Sequence, residues 1–217
     1  MLDFLTKSAD DALVILKNDH EKVKKLFYDF ERAEKLAQKK KIVSEAIMEL
    51  KIHATIEEEL FYPSLRGKQK VDQDLLSEAD EEHHVAKLLI AELEQMDGKE
   101  DHYDAKFTVL AENIKHHVKE EEVELFPQAR KTDVDFEALG KKLLVRKQQL
   151  MKNGVPPCAE EIMISSHRKG SYDSPAKAAQ TRKAPTLVTK PFLVSKNENK
   201  KSVAGKKKHV LPKKAHK

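Results

Sequence analysis

Tryptophan is absent from this sequence, and glycine, cysteine and aromatic residues are scarce. Only 6 of the 217 residues are glycine and 6% are aromatic, whereas Lys, Glu, Leu and Ala are abundant. This composition favours a helical protein over a sheet protein. Cys158 is the single cysteine, which excludes an intramolecular disulfide and a cysteine-based zinc site.

Long apolar runs are also missing from the chain. No stretch approaches the roughly 20 apolar residues that a membrane-spanning helix requires. The first eleven residues lack the basic start and the apolar centre of a signal peptide. We therefore expect a cytoplasmic protein that does not interact with membranes.

Charges of the two signs are unevenly distributed along the chain. Residues 168–217 hold 15 Lys+Arg and 2 Asp+Glu, a net charge of +13, which leaves 26 basic and 35 acidic residues, a net charge of −9, in residues 1–167. The basic segment is interrupted by prolines and has too little apolar surface to offset its ordering entropy. We expect residues 1–155 to form the folded domain and residues 156–217 to form a disordered basic tail rich in Lys, Pro and Ala.

Apolar residues recur at helical spacing in five segments, which we predict to be helices. The segments are residues 10–37, 42–61, 72–97, 103–126 and 133–151. Four helices of 20–28 residues joined by short links are typical of an antiparallel up-down four-helix bundle. We therefore predict an all-α fold in which a fifth C-terminal helix follows this bundle.

A short constellation of residues occurs twice in the chain. His53 is followed four residues later by Glu57, and His117 is followed four residues later by Glu121. In both copies a proline stands ten residues after the His. Residues four apart lie on one face of a helix, about one turn from each other. Each His and its Glu are therefore expected to point into the same space.

A further His precedes each copy at nearly the same distance. His20 lies 33 residues before His53, and His83 lies 34 residues before His117. The two units together provide four His and two Glu, a set that suits a pair of iron or manganese ions, with one bridging carboxylate from each copy. The alternative is a buried network of hydrogen bonds without metal. We favour metal binding, because most of these residues fall on predicted inner faces, where an unpaired His or Glu is costly.

Two of the candidate ligands have a second histidine directly beside them in the sequence. His84 follows His83, and His116 precedes His117. Apolar residues stand three and six positions after His20, and the same spacing is found after His83 but fits His84 less well. By the same comparison, His117 rather than His116 corresponds to His53. We expect His84 and His116 to lie at the surface or behind the ligands, and a secondary ligand role for His84 with Asp80 stays open.

These motifs resemble those of the hemerythrin-like family, which is described by a His-His-Glu cation-binding motif. The resemblance covers about residues 10–130 and includes both Phe-containing segments that end in proline. The residues that carry it are Asp19-His20, His53-x-x-x-Glu57, Glu82-His83-His84 and His117-x-x-x-Glu121.

The resemblance implies a non-haem di-iron site, with manganese less favoured than iron. By analogy with the family, one iron would be bound by His20 and His53. The other would be bound by His83 and His117. Both irons would be bridged by the two carboxylates Glu57 and Glu121.

The chain departs from the oxygen-carrying members of that family in two places. Those members have a second His four residues before the third-helix His, where this chain has Ala79. Their second bridge is an Asp five residues after the fourth-helix His, where this chain has Glu121 at four residues. One iron would then lack a third imidazole, and water or a nearby carboxylate (Glu78, Asp80 or Glu81) would take its place.

The resemblance implies a protein that binds or senses a small diatomic molecule or oxidant, namely oxygen, nitric oxide or peroxide, or that handles iron. We favour a binding protein over an enzyme. A ferritin-like di-iron oxidase or peroxidase is one alternative, because that class uses Glu-x-x-His units and Glu81-x-x-His84 is one match. Nonspecific binding of nucleic acid by the basic tail, through counterion release, is the other.

Overall fold

The computed structural model describes residues 8–167, and all regular structure in that range is helical. The α-helices are α1 (Ala12–Arg32), α2 (Leu36–Ile56), α3 (Tyr62–Leu65), α4 (Gln73–Glu94), α5 (Tyr103–Glu120), α6 (Phe126–Ala129), α7 (Phe136–Asn153) and α8 (Ala159–His167). Two π-helical turns, π1 (Glu57–Phe61) and π2 (Glu121–Leu125), join α2 to α3 and α5 to α6. The predicted all-α class is confirmed.

The long helices α1, α2, α4 and α5 pack around a common core. Helix α1 contacts α2 and α5, and α4 also contacts α5 and α2, so each has neighbours on two sides, as in a four-helix bundle. Helix α7 is the predicted fifth helix and packs on α1 and α2. The largest error in the predicted bounds is at the first loop, because α1 ends at Arg32 and α2 already begins at Leu36. This stretch is mostly charged, so apolar periodicity could not locate the break.

The buried apolar residues form two clusters with a polar layer between them. One cluster contains the second half of α1, from Val23 to Phe30, together with most of the buried residues of α5. The other contains the start of α1, from Ala12 to Leu16, and the buried apolar residues of the two π turns and of α7. The polar layer crosses α1 between these two stretches, at Asp19 and His20, both of which are buried.

Aspartate side chains begin three of the helices. Asp11 accepts hydrogen bonds from the backbone N–H groups of Leu13 and Val14 at 3.0 and 3.3 Å, and aspartates also cap α4 and α7. Such caps satisfy backbone donors that the first turn leaves free. Asp11 is also paired with Arg130, which follows α6. This pair joins the start of α1 to the end of the second motif copy.

Helix α8 was not predicted from the sequence. It lies within residues 156–217, the segment expected to be a tail, and it packs on α4. The remainder of the predicted tail, from residue 168 onward, lies outside the described residues. The expected binding of nucleic acid by that segment therefore stays a prediction.

No helix within residues 8–167 is long and apolar enough to cross a membrane.

Candidate metal centre

Each Glu of the duplicated motif begins a π-helical turn. The backbone N–H of Tyr62 donates to the carbonyl of Glu57, five residues earlier, and Phe126 and Glu121 repeat this bond in the second copy. A proline, Pro63 or Pro127, stands two residues after the last residue of each turn. Proline lacks an N–H group, and its ring clashes with the carbonyl four residues earlier, so a widened turn relieves the contact. π turns often occur at functional sites.

The six residues that the sequence singles out lie together in the polar layer. All six are buried, and the most exposed of them is 6% accessible. They come from α1, α2, α4 and α5 and from the first residues of π1 and π2. The residues are His20, His53, Glu57, His83, His117 and Glu121.

The histidines form two pairs through their Nε2 atoms. Nε2 of His20 lies 3.1 Å from Nε2 of His53, and Nε2 of His83 lies 3.2 Å from Nε2 of His117. Two ligand nitrogens of one metal ion lie about 3 Å apart when each is about 2.1 Å from the ion. Each pair therefore has the spacing of two ligands on a shared ion.

Both carboxylates reach both histidine pairs. Oε2 of Glu57 lies 3.1 Å from Nε2 of His53 and 3.5 Å from Nε2 of His83. Oε2 of Glu121 lies 3.6 Å from Nε2 of His117 and 3.2 Å from Nε2 of His20. Each carboxylate is thus placed between the two pairs, which is the arrangement that a bridging ligand requires.

Carboxylates behind the centre orient two of the histidines from the opposite motif copy. Nδ1 of His20 contacts Oε1 of Glu122 at 2.9 Å, and Nδ1 of His83 contacts Oε1 of Glu58 at 2.9 Å. Each of these acids is the residue directly after a central Glu. Metal-binding histidines commonly donate their second N–H in this way, which fixes the tautomer and the ring orientation.

The other two histidines have a carboxylate of their own half behind them, which is hydrogen-bonded to His117 but only near His53. Nδ1 of His117 contacts Oε2 of Glu82 at 2.8 Å, and Oδ2 of Asp19 lies 3.6 Å from Nδ1 of His53. Asp19 is also paired with Lys147 of α7. All four Nε2 atoms consequently face the centre, and all four Nδ1 atoms face a carboxylate.

The electrostatics of the polar layer favour the protonated forms of His53 and His117 as long as no cation is bound. Burial lowers the pKa of His53, but Glu57 and Asp19 outweigh it and raise that pKa to about 10. For His117, Glu121 and Glu82 likewise outweigh burial and raise the pKa. Burial raises the pKa of Glu121, but the surrounding histidines outweigh it and hold that pKa well below its usual range.

Several buried polar atoms at the centre make no hydrogen bond. Within the described residues, these include both carboxylate oxygens of Glu57 and Oε2 of Glu121, although histidine nitrogens lie nearby. Leaving a buried carboxylate without hydrogen bonds is costly. A cation between the oxygens and the Nε2 atoms would compensate for that cost, so the donor set fits a bound metal.

Tyr62 makes the two halves of the centre unequal. Its hydroxyl donates to Oε1 of Glu121 at 3.0 Å and lies 3.4 Å from Nε2 of His83. The corresponding residue of the second copy is Phe126, whose ring stacks on that of His20 at 5.8 Å. Burial, followed by the nearby carboxylates, raises the pKa of Tyr62 well above its usual value. A polar oxygen therefore lies beside the His83 pair and has no counterpart beside the other pair.

The remaining candidates from the sequence lie outside this layer. Glu78, Asp80 and Glu81 are exposed, and Asp80 is paired with Arg66. His84 is also exposed and binds Glu160 of α8, so the Glu81-x-x-His84 match does not contribute to the centre. The Tyr62 hydroxyl, and none of these three carboxylates, lies beside Nε2 of His83.

His116 lies at the protein surface. Its side chain is 59% exposed, and its Nε2 lies 3.2 Å from Glu120 and 3.6 Å from Glu82. The ring is therefore directed away from the buried histidine pairs, in agreement with the expectation from register.

Sequence reasoning assigned no role at the centre to five residues that lie beside it. Four are the orienting carboxylates, and a signal for them was present, because an acid precedes each upstream His and a second Glu follows each central Glu. Tyr62 had no such signal, since it breaks the repeat. The five residues are Asp19, Glu58, Tyr62, Glu82 and Glu122.

A helical bundle with a buried layer of histidines and carboxylates is typical of a cation-binding protein. Comparison of the sequence with models of known protein families shows which family this is. Residues 11–129 match the family model described as Hemerythrin HHE cation binding domain. The match spans more than half of the chain, and the protein belongs to this family.

Among solved structures, the chain is similar to a hemerythrin HHE cation binding domain-containing protein from Mycobacterium kansasii. The TM-score is 0.56 and the sequence identity is 25%, and the alignment covers 70% of this chain and 98% of that chain. No curated protein matches the sequence.

Proposed function

We propose that this protein holds a non-haem di-iron centre. His20 and His53 would hold one iron, His83 and His117 would hold the other, and Glu57 and Glu121 would contribute a carboxylate to both. The observation that carries this proposal is the position of the two carboxylates, each within 3.6 Å of a nitrogen of both histidine pairs. Mixed imidazole and carboxylate ligation suits iron, with manganese the less favoured ion.

Tyr62 gives the second iron a further oxygen donor. Its hydroxyl lies close to Nε2 of His83 and to Glu121. In this proposal the two irons differ, because the position at His20 and His53 faces the ring of Phe126 instead. An oxygen-rich, unsymmetrical ligand set favours the ferric state and therefore sensing or detoxification over reversible oxygen carriage.

The physiological ligand in this proposal is a small diatomic molecule or oxidant such as oxygen, nitric oxide or peroxide. When bound, a di-iron centre would supply a binding position for such a molecule, and it would donate electrons for its reduction or accept electrons on its oxidation. The protein excludes bulk water from that position through the two apolar clusters on either side of the polar layer. It also holds the imidazoles of His20, His83 and His117 in one tautomer through hydrogen bonds to outer carboxylates.

The metal content of the purified protein tests the proposal directly. We expect two iron ions per chain after anaerobic loading, because the four histidines form two pairs and each pair has the spacing of two ligands on one ion. Elemental analysis is the measurement, and an optical change on adding nitric oxide would show that one position is open to a ligand. One iron per chain or none at saturation would contradict the di-iron centre.

The pH dependence of folding should reverse when metal binds. In the metal-free protein the raised pKa of His53 contributes stability that is fully present below its unfolded value of 6.5 and is lost as the pH rises towards about 10. In the loaded protein the histidines must be deprotonated to bind metal, so stability should instead rise with pH.

Denaturant titrations of metal-free and iron-loaded protein, each at about pH 6 and about pH 9, measure this reversal. The His53→Ala variant is the control, since its metal-free form should show a weaker decline. Parallel pH trends in the metal-free and loaded proteins would contradict the assignment of these histidines as ligands.

A further inference from the structure

A cavity of about 120 Å³ lies beside the polar layer. All four histidines of the centre line its inner end. Its walls are largely apolar and include Val23, Leu50, Ile90, Ile114 and Val118. A water molecule occupies about 30 Å³ of the liquid, so the cavity has room for a few molecules of that size.

The outer end of the cavity is built by a segment that the family match does not include. Val155, Pro156, Cys158 and Glu161 line it together with Lys51 of α2. The family match ends at residue 129, whereas these four residues belong to the link between α7 and α8 and to the start of α8. The cover over the cavity is therefore a feature of the additional C-terminal part of the chain.

Ion pairs attach this segment to two helices of the bundle. Nζ of Lys51 lies 2.8 Å from Glu161 of α8 and 3.1 Å from Glu94 of α4. Nδ1 of His84 on α4 contacts Glu160 at 2.6 Å. The side chains of Lys51 and Glu161 are only 14% and 16% exposed. Lys51 thus joins α2, α4 and α8 at the outer end of the cavity.

We propose that Lys51 and residues 155–161 form the entrance through which a small uncharged molecule reaches the metal centre. The inference rests on the proposed function, since it assigns a route to that same site. The apolar walls disfavour an ion, because transferring an unpaired charge from water to such surroundings is costly. The small volume excludes larger molecules, and opening requires the Lys51–Glu161 pair to separate.

The reactivity of the Cys158 thiol can show whether this entrance opens, even in protein without metal. Its thiol donates to Glu161 at 3.5 Å, and burial, followed by the nearby glutamates, raises its pKa to about 11. A protonated, partly buried thiol reacts slowly with thiol reagents. Separation of α8 from Lys51 should expose the thiol and speed its reaction.

The first test compares the rate at which N-ethylmaleimide modifies Cys158 in metal-free protein. In Lys51→Met we expect the rate to rise about 2- to 5-fold, the effect of losing an ion pair near the protein surface. Removing a nearby positive charge would by itself raise the thiol pKa and slow the reaction, so an increase reports on opening. Lys106→Met is the matched control, because Lys106 has a similar exposure and pairs with Glu92 away from the cavity.

The second test uses the iron-loaded full chain with nitric oxide as the probe. Modification of Cys158 by the maleimide should fill the entrance and slow nitric oxide binding at least about tenfold, while iron content and helical spectrum stay unchanged. Cys158→Ser treated with the same reagent should bind at the untreated rate. The proposed entrance would be contradicted by either of two results. One is an equal rate of Cys158 modification in Lys51→Met and wild type, and the other is an unchanged rate of nitric oxide binding in the modified protein. A chain without iron would instead refute the proposed function, and the thiol rates would still decide whether the segment opens.

Discussion

Changing His117 to alanine should empty at least one of the two metal positions, whereas changing its neighbour His116 to alanine should leave both filled. His117 is buried, and its Nε2 lies 3.2 Å from that of His83. The His116 ring is 59% exposed and faces Glu82 and Glu120 instead. Loss of a residue that merely orients a ligand commonly lowers metal affinity about 10- to 100-fold. Loss of His117 itself should therefore lower it at least about 100-fold.

Metal content after dialysis against a fixed concentration of free iron measures the difference between the two variants. The pair is closely matched, because both histidines lie on α5 and both contact Glu82. His53→Ala should behave like His117→Ala, since it removes the equivalent ligand of the first copy. If His116→Ala emptied the centre and His117→Ala did not, the register of the second motif copy would be wrong by one residue.

Changing Gly140 to alanine should destabilise the protein by about 3 kcal/mol, in the upper part of the range for overpacking. Gly140 lies within α7 and packs against the chain just before α1. A Cβ atom at this position would lie 1.7 Å from the backbone oxygen of Asp10 and 2.8 Å from the backbone nitrogen of Ala12. Backbone atoms cannot move aside as the end of a flexible side chain can, so α7 and the start of α1 would have to separate.

The expected sign of this effect is opposite to that for an isolated helix. Alanine in place of a helical glycine normally stabilises a helix by about 1 kcal/mol, so a gain in stability would show that α7 does not pack as described. Denaturant unfolding is the measurement, and Gln148→Ala, at an exposed position of the same helix, should change stability by no more than about 0.5 kcal/mol. The iron content of Gly140→Ala should also fall, because α7 carries the Lys147 that pairs with Asp19 beside His53.

The duplicated motif was enough to predict that the six central residues belong to one metal site. Spacings of four residues place His53 and Glu57, and likewise His117 and Glu121, on one helix face whatever surrounds them. Apolar periodicity located five helices for a similar reason, since it reports on which side of a helix is buried. The family resemblance then implied how the six residues would be divided between two ions.

The π turns were not predictable from this reasoning. A proline ten residues after each His indicated that the helix ends there, whereas the helix widens and continues for another turn as α3 or α6. Whether a chain stops or adapts at a proline depends on what the following residues pack against. Here Leu65 and Ala129, which follow the two prolines, are fully buried in the second apolar cluster. Their burial stabilises the additional helical turn.

Local spacing thus accounts for the all-α class, for the four inner helices and for the two His-x-x-x-Glu faces, because each follows from the geometry of one helix. The partner of each Nδ1 atom, the approach of Tyr62 to His83 and the closure of the cavity by α8 follow from contacts between segments far apart in the chain. Glu122 reaches His20 across 102 residues, and Glu161 reaches Lys51 from beyond the family match. Such contacts depend on how the helices are rotated and packed against one another, which periodicity within a single helix does not specify.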